Sequence, residues 1–458
     1  MLKLFNSLTN QKEEFKPIRP NRVGLYSCGP TVYDEVHLGN LRAFLLPDLI
    51  QRVLRNIEKI DVEWVMNITD IDDKMIARSK EEFPSDDEAT ALGKLADKYT
   101  DIFLEDIESI GIMRDDISHL PRATDYVEQM KALIEKLLKD GLAYESEGSV
   151  YFSIDKYQQS GQKYGRLVDL DFESKARVTD DQDQKEGVAD FALWKAQKPN
   201  EPYWDLEVAG KNLPGRPGWH IECSAMSTEF LGSPFDIHTG GVDLKFPHHE
   251  NELAQCGGTQ ANFYLHNEHL SIESEKMSKS LGNIKTIRNV NNPLAYRYLV
   301  LSGHYRSQMD FSMSDINSAA DRLSNIGKYI DQVMLARQGI LEPKDSTGTV
   351  DKFNKEFKEA LEDDLNTPKA LAAFTLLEGK VYTEDAKEAI RLFDNVFGLQ
   401  LVFDTPLHDT ILVEIDKYEQ ARKEKNFALS DSLRADLAKQ YNLAVSDTPA
   451  GALVYRIK

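Results

Sequence analysis

Six of the ten histidines in this 458-residue chain fall between positions 220 and 269: His220, His238, His248, His249, His266 and His269. Two of the three cysteines, Cys223 and Cys256, lie in the same stretch. Such clustering is what a metal site requires. Within Phe246-Pro-His-His-Glu-Asn-Glu252, His248 and Glu252 are four residues apart, so on a helix they share one face. Cys223 lies 25 residues upstream of His248. A thiolate, an imidazole and a carboxylate are three ligand types that zinc accepts. A fourth ligand must come from elsewhere, and Cys28, in the turn Cys28-Gly29-Pro30, is the best candidate. The same residues also admit a plainer reading: two helix-capping histidines and two inert thiols.

Two further stretches suit phosphate. Pro30-Thr-Val-Tyr-Asp-Glu-Val-His-Leu-Gly-Asn40 runs from a predicted strand into a predicted helix. A histidine and a glycine at such a junction suit an anion, because free backbone N–H groups and the positive end of the helix dipole point at it. An ordinary turn would look the same. Lys276-Met-Ser-Lys-Ser280 places two lysines on a serine-rich loop able to neutralise a triphosphate, against a plain solvated basic loop as the alternative.

The elements that must position these residues follow from hydrophobic spacing. Val23–Ser27 reads as a strand, and Leu41 to about Asn56 as a helix with Leu45, Leu49 and Val53 on one face. Glu63–Ile68 reads as a second strand and Asp70–Lys80 as a helix. Strand and helix in alternation predict a parallel sheet with crossover helices. That rhythm breaks in the middle, where helical patterns at 87–108 and 123–141 precede strand-like pieces such as Gly148–Ile154 and an acidic, turn-rich loop, Thr179–Gly187. Residues 115–215 read as an insertion. The α/β signal returns at Trp219–Met226, Phe235–Thr239 and Tyr264–Ile272. Amphipathic helices then dominate, over Ser314–Gln338, Lys352–Leu376 and Thr383–Phe397, with Thr383 as an N-cap.

Composition narrows the class. Hydrophobic residues make up 41% and charged residues 29%, which excludes disordered and collagen-like chains. No apolar run reaches the roughly 18 residues a membrane span needs, and Met1–Leu4 is too short for a signal-peptide core. The expectation is a soluble cytoplasmic protein without membrane contact. Three widely spaced cysteines exclude a disulfide framework. With 55 Lys/Arg against 76 Asp/Glu the net charge is −21, so nucleic acid must be met by local basic patches. The last 42 residues supply one, at +3, with Arg422, Lys423 and Lys425 close together and Asn426 and Phe427 directly after. An aromatic and an amide beside cations suit unpaired bases, and a solvated helix face is the bland counterpart.

Together these motifs carry a resemblance. His37-Leu-Gly-Asn40 resembles the HIGH motif and Lys276–Ser280 is the KMSKS motif, in the order used by class I aminoacyl-tRNA synthetases. Tyr26–Tyr33, Asn67–Lys74, Pro217–Met226 and Phe246–Glu252 resemble the cysteinyl-tRNA synthetase family specifically, as do Asp363–Pro368 and Asp447–Pro449. The similarity spans nearly the whole chain. It implies an α/β fold: a Rossmann-type parallel-sheet catalytic domain (1–114 and 216–270) with an inserted connective region (115–215). A stem-contact region with the KMSKS loop (271–312), a helical bundle (313–400) and a small anticodon-binding domain (401–458) follow.

The resemblance implies one zinc ion on Cys28, Cys223, His248 and Glu252, and a cysteine pocket around Thr69, Trp219, His238 and Asp243. ATP, with Mg²⁺, would meet His37, Gly39, Asn40, Lys276 and Lys279, of which His37, Asn40 and the two lysines would stabilise the transition state. Arg422, Lys423 and Lys425 would meet tRNA. The implied partners are ATP, L-cysteine and tRNA(Cys), and the implied state is a monomer. Asn40 stands where the HIGH motif ends in histidine, Thr239 where the family often has glycine, and Leu206–Leu213 is longer than expected and has no role. Two other functions share these features: a ligase passing cysteine to an amino sugar, and a non-catalytic, zinc-stabilised RNA-binding module. A helical region with a basic end argues against the first, and an intact ATP motif against the second.

Overall fold

The computed structural model describes the chain apart from residues 169–189, 273–274, 277–284, 337–339, 343, 404–406, 449–450 and 458. The described chain forms two units, residues 1–289 with 305–310, and residues 290–304 with 311–458.

In the first unit, strands Arg22–Ser27 (β1), Asp61–Met66 (β2), Phe235–Gly241 (β3) and Ala261–Asn267 (β4) form a parallel sheet in the order β4-β3-β1-β2. Val23, Leu25, Tyr26, Trp64, Val65, Ile237 and Leu265 are buried, as strands covered on both faces require. The chain leaves β1 for β2 on one side and returns to β3 on the other. The sheet therefore changes direction between β1 and β3, and a crevice opens beyond their carboxyl ends. Helix α1 (Leu38–Val53) joins β1 to β2, starting three residues earlier than hydrophobic spacing suggests because His37 caps it. Helices α2 (Asp73–Glu82) and α3 (Glu88–Ser109) follow, each opened by an aspartate: Asp72 accepts from Met75 N at 2.7 Å and Asp87 from Thr90 N at 3.0 Å. Arg42 of α1 is buried and donates to the carbonyls of His269 and Ser307, each at 2.7 Å, which fixes the edge of the crevice.

After helix α4 (Val127–Lys139), the insertion is a five-stranded antiparallel sheet of Ala143–Ser146, Ser149–Phe152, Phe191–Ala196, Lys211–Pro217 and Trp204–Val208, paired in that order. Leu206–Leu213 belongs to a hairpin in it, turned at Ala209 and Gly210 with φ of 50° and 80°. Trp194 Nε1 donates to Leu213 O at 3.1 Å, so this stretch supports the buried face of the insertion. The acidic stretch Thr179–Gly187 lies outside the described residues. Helix α5 (Trp219–Leu231) leads back to β3, and α6 (His248–Gln255) lies between β3 and β4.

The second unit is helical, with a small hairpin, Leu443–Thr448 and Gly451–Arg456. Phe353, Phe357, Phe374, Phe393 and Phe397 pack into one aromatic core. The continuous helical pattern expected over Lys352–Leu376 is broken. Helices Thr349–Glu362 and Thr367–Ala373 are separated by Asp364 and Leu365, whose φ values of 60° and 54° end the first. Asn366 caps the second, accepting from Lys369 N at 3.2 Å, with Pro368 in its first turn. Thr383 also lies outside its helix, which begins at Asp385; its hydroxyl donates to Asp385 Oδ1 at 2.5 Å. Helices Asp409–Lys423 and Phe427–Tyr441 pack with the hairpin around Ile415, Tyr418, Leu437 and Val454. No described helix is long and apolar enough to cross a membrane.

Candidate active site and metal centre

Cys28 follows β1, Cys223 lies in the second turn of α5, and His248 and Glu252 occupy one face of α6. The fold brings all four together, buried, with ligand atoms within 4.8 Å of one another. Cys28 Sγ lies 3.8 Å from Cys223 Sγ, and His248 Nε2 3.2 Å from Glu252 Oε1. Two sulfurs on one tetrahedral zinc at bond lengths of about 2.3 Å sit about 3.8 Å apart, and a nitrogen and oxygen at about 2.1 Å sit about 3.4 Å apart. The donor set and its edges fit such an ion. Cys28 and Glu252 with His238 and His249 form a second group within the same limit.

The surroundings divide the donors. Glu252 Oε1 faces His248, while Oε2 lies 3.0 Å from His238 Nε2 and accepts from Gln260 at 2.8 Å. His248 Nδ1 is 2.9 Å from His220 Nδ1, which leaves Nε2 on the cysteine side. Burial holds both rings neutral, down to about 3, the form that ligates a metal. A further chain runs from Cys28 Sγ to His249 Nε2 at 3.3 Å, from His249 Nδ1 to His266 Nε2 at 2.9 Å, and from His266 Nδ1 to Ser7 Oγ at 2.8 Å. Cys256 is outside both groups, its thiol pushed up to about 12 by burial.

Close backbone approach shapes the wall. A Cβ at Gly29 would sit 1.6 Å from the Asn67 carbonyl oxygen, so only glycine fits after Cys28. Gly29 N donates to Asn67 Oδ1 at 2.9 Å, Asn67 Nδ2 donates to Thr69 Oγ1 at 3.1 Å, and Thr69 donates to Glu222 Oε2 at 3.0 Å. Glu222 is wholly buried and its carboxyl is pushed well up by burial. Asn67 and Glu222 stand inside the quoted motifs, but nothing in their spacing marks them as partners.

A cleft of about 380 Å³ opens beyond β1 and β3. Cys28 and Trp219 line it, as do Asp243 and, further along, His37, Gly39 and Asn40. Trp219 lays its ring over His248, centroids 4.2 Å apart. Thr69 and His238 are buried behind the wall, not on it. His37 caps α1, its Nδ1 accepting from Asn40 N at 3.2 Å, so one N–H expected to face phosphate is taken. Lys276 lies in a two-residue strand, Glu275–Lys276, paired to Ser271–Ile272, and Lys279 lies outside the described residues. The carboxyl side of that segment is tied to the His37 end: Leu38 N donates to Lys285 O at 2.9 Å, and Arg288 pairs with Glu105 and Asp106 at 2.8 and 3.0 Å.

In the second unit, Arg422 is paired with Asp447 at 2.9 Å and lies over Phe427. Lys423 and Lys425 are exposed where one helix ends and the next begins.

Residues 14–321 match the family model of the class I (C) tRNA synthetase catalytic domain, and residues 356–401 match the DALR domain. Solved structures agree on the fold. A Mycobacterium tuberculosis methionyl-tRNA synthetase in complex with methionyl-adenylate superposes with a TM-score of 0.56 at 14% identity, covering 83% of this chain and 88% of that one. A leucyl enzyme from Agrobacterium radiobacter, in a ternary complex with tRNA, gives a TM-score of 0.57 at 10% identity, covering 84% of each chain. Fold and crevice are thus those of a class I tRNA synthetase. Cysteine–tRNA ligase of Brachyspira hyodysenteriae is 40% identical over 98% of both chains, and that of Fusobacterium nucleatum 38% identical over 95% of this chain and 96% of its own. The chain belongs to the cysteine–tRNA ligase family.

Proposed function

We propose that the protein joins L-cysteine to tRNA(Cys) in two steps, first forming cysteinyl-adenylate from ATP and then passing the aminoacyl group to the tRNA 3′ end. The observation that carries this reading is the convergence of two thiols, an imidazole and a carboxylate at the end of a cleft whose far end is the capped start of α1. A zinc ion held there by Cys28, Cys223, His248 and Glu252 would bind the substrate thiolate and lower the thiol pKa. That chemistry matters because serine differs from cysteine by one atom, and ordinary contacts separate near-isosteres by only ~1–3 kcal/mol.

The chain's own residues do the rest. His238 and Gln260 fix the Glu252 carboxylate, and His220 fixes the His248 ring. Trp219 and Asp243 form the wall beside the amino acid, while Thr69, held by Asn67 and Glu222, supports that wall from behind. The nucleophile is already an anion, so adenylate formation needs positioning and charge neutralisation more than a base. His37, Gly39 and Asn40, with Lys276 and Lys279, are the groups we assign to ATP and its magnesium-bound phosphates. The division of labour we infer is catalysis in residues 1–114 and 216–270 with 115–215 inserted, a stem-contact region at 271–312, a bundle at 313–400 and anticodon reading at 401–458. Lys423 and Lys425 are exposed cations of that last region, with no ion pair to a described carboxylate.

Cysteine-dependent ATP–pyrophosphate exchange, followed by charging of a tRNA(Cys) transcript, tests the reading. Exchange without charging would instead favour a small cysteine acceptor, and absence of exchange would leave a binding protein. With cobalt in the site, cysteine should add a sulfur-to-metal charge-transfer band and serine none. An unchanged spectrum would make the metal structural.

A further inference from the structure

The cleft carries four carboxylates on its described walls, Asp34, Glu35, Asp243 and Glu268, and among the described lining residues one lysine or arginine, Lys74. Lys74 stands in the first turn of α2, and its neighbours hold that turn in place. Asp72 caps the helix through Met75 N, and Asp73 is paired with Arg216 and, at 3.1 Å, with Lys195 of the inserted sheet. From this anchored turn the Lys74 side chain reaches over the ring of Tyr33, with Nζ 5.4 Å from its centroid. It makes no ion pair with a described carboxylate. Tyr33 lies between Cys28 and His37 in the chain, and all three line the cleft. The ammonium therefore stands over the chain segment that runs from the metal end of the wall to the start of α1.

That stretch is where the reaction concentrates negative charge. Two anions, the amino-acid carboxylate and the α-phosphate, must come within bonding distance, and like charges so close repel strongly at the effective dielectric of a protein surface. We propose that Lys74 is a catalytic residue of adenylate formation, its ammonium contacting the cysteine carboxylate and the α-phosphate as they meet. A carboxylate oxygen forms the new bond to the α-phosphorus. The bond from that phosphorus to the bridging oxygen of the β-phosphate breaks, and its electron pair leaves with pyrophosphate. No proton is transferred, so a fixed cation is the help this step can use. The assignment rests on the cysteine-activating reading above.

The test compares the full-length wild type with Lys74→Met, which keeps side-chain bulk and removes charge at an exposed position. Lys74→Met should lower kcat of cysteine-dependent exchange on the order of 10²-fold, the loss seen when one transition-state donor is removed. Metal content, the cobalt–thiolate band with cysteine, and single-turnover transfer from preformed adenylate to tRNA should stay as in the wild type. Exchange within threefold of wild type would overturn the proposal. So would a change confined to KM, a slowed transfer step with normal exchange, or loss of metal or of the cobalt band. If the wild type itself shows no cysteine-dependent exchange, the functional reading falls and this assignment with it.

Discussion

His238 and Glu252 face each other across 3.0 Å with both side chains fully buried. The histidine comes from β3 and the glutamate from α6, so one contact fastens the helix of the candidate ligands to the sheet. His238 acts on the carboxylate that would hold the ion, and Gln260 accompanies it on the same oxygen. Partners of this kind tune a ligand without touching the metal.

His238→Gln should weaken metal binding by roughly 10–100-fold while leaving one site per chain. Competition with a chromophoric chelator measures this directly. An unchanged dissociation constant would place His238 outside the support of the site.

Cys223→Ser should strip the purified protein of most of its metal, and Cys256→Ser should leave the content at that of wild type. Cys256 is half-buried and belongs to neither group of converging donors. Elemental analysis of the two variants decides, and equal metal in both would refute the ligand assignment.

Asp106 offers a pH test. Burial outweighs the pull of Arg288 and raises its carboxyl to about 6 from 3.8. The folded protein thus binds this proton more tightly than the unfolded chain, and stability falls as pH rises from about 4 through about 6. Arg288→Ala removes the attraction and moves the carboxyl further up. The added destabilisation should be absent below about pH 4 and grow above pH 6, reaching about 1 kcal/mol because Arg288 is itself 42% exposed. Urea melts of both proteins at pH 4 and pH 8 measure it; an equal difference at the two values would show that Asp106 does not sense Arg288.

Truncating the carboxyl-terminal module is a poor test of tRNA contact, because Arg456 Nη1 and N both bond Asp331 and their loss would leave that buried carboxylate bare. Point changes avoid this. Lys423→Ala and Lys425→Ala should each raise KM for tRNA several-fold and leave pyrophosphate exchange unchanged, with the effect shrinking as salt rises. Arg422→Ala should also lower stability slightly, since it removes one partner of Asp447, which keeps Arg434 and the Tyr418 hydroxyl. Unaltered charging by the double lysine variant would move the anticodon contact elsewhere.

The parallel sheet was legible because its strands are short apolar runs separated by helix-length segments. The interrupted middle was legible as a change of rhythm. The four converging donors were legible in part: His248 and Glu252 by their spacing of four, Cys28 by its place at a strand end. Nothing in spacing couples His238 to Glu252, or Asn67 through Thr69 to Glu222, because those bonds join elements distant in the chain. Asp447 silences Arg422 from 25 residues away, so a charge count overstated the free cations of that patch. The break at Asp364 and Leu365 was missed because apolar residues keep helical spacing on both sides of it. Lys74 closes a stretch that carries the family resemblance, but nothing in its spacing gives it a role, and the cleft does.

Helix α6 also grips the insertion. Between its two candidate ligands, Glu250 is buried and accepts from the main-chain N–H groups of Gly165, Arg166 and Leu167 at 2.7–3.0 Å, while Asn251 receives the Tyr164 hydroxyl at 2.5 Å. The carboxylate recognises peptide groups, which every residue but proline supplies. A graft at this seam would therefore have to keep the path of the backbone and admit no proline, with glycine at 165, where φ is 89°, and a hydroxyl at 164 for Asn251. The same helix that faces the thiols thus doubles as a socket that seats the middle of the inserted module through its main chain.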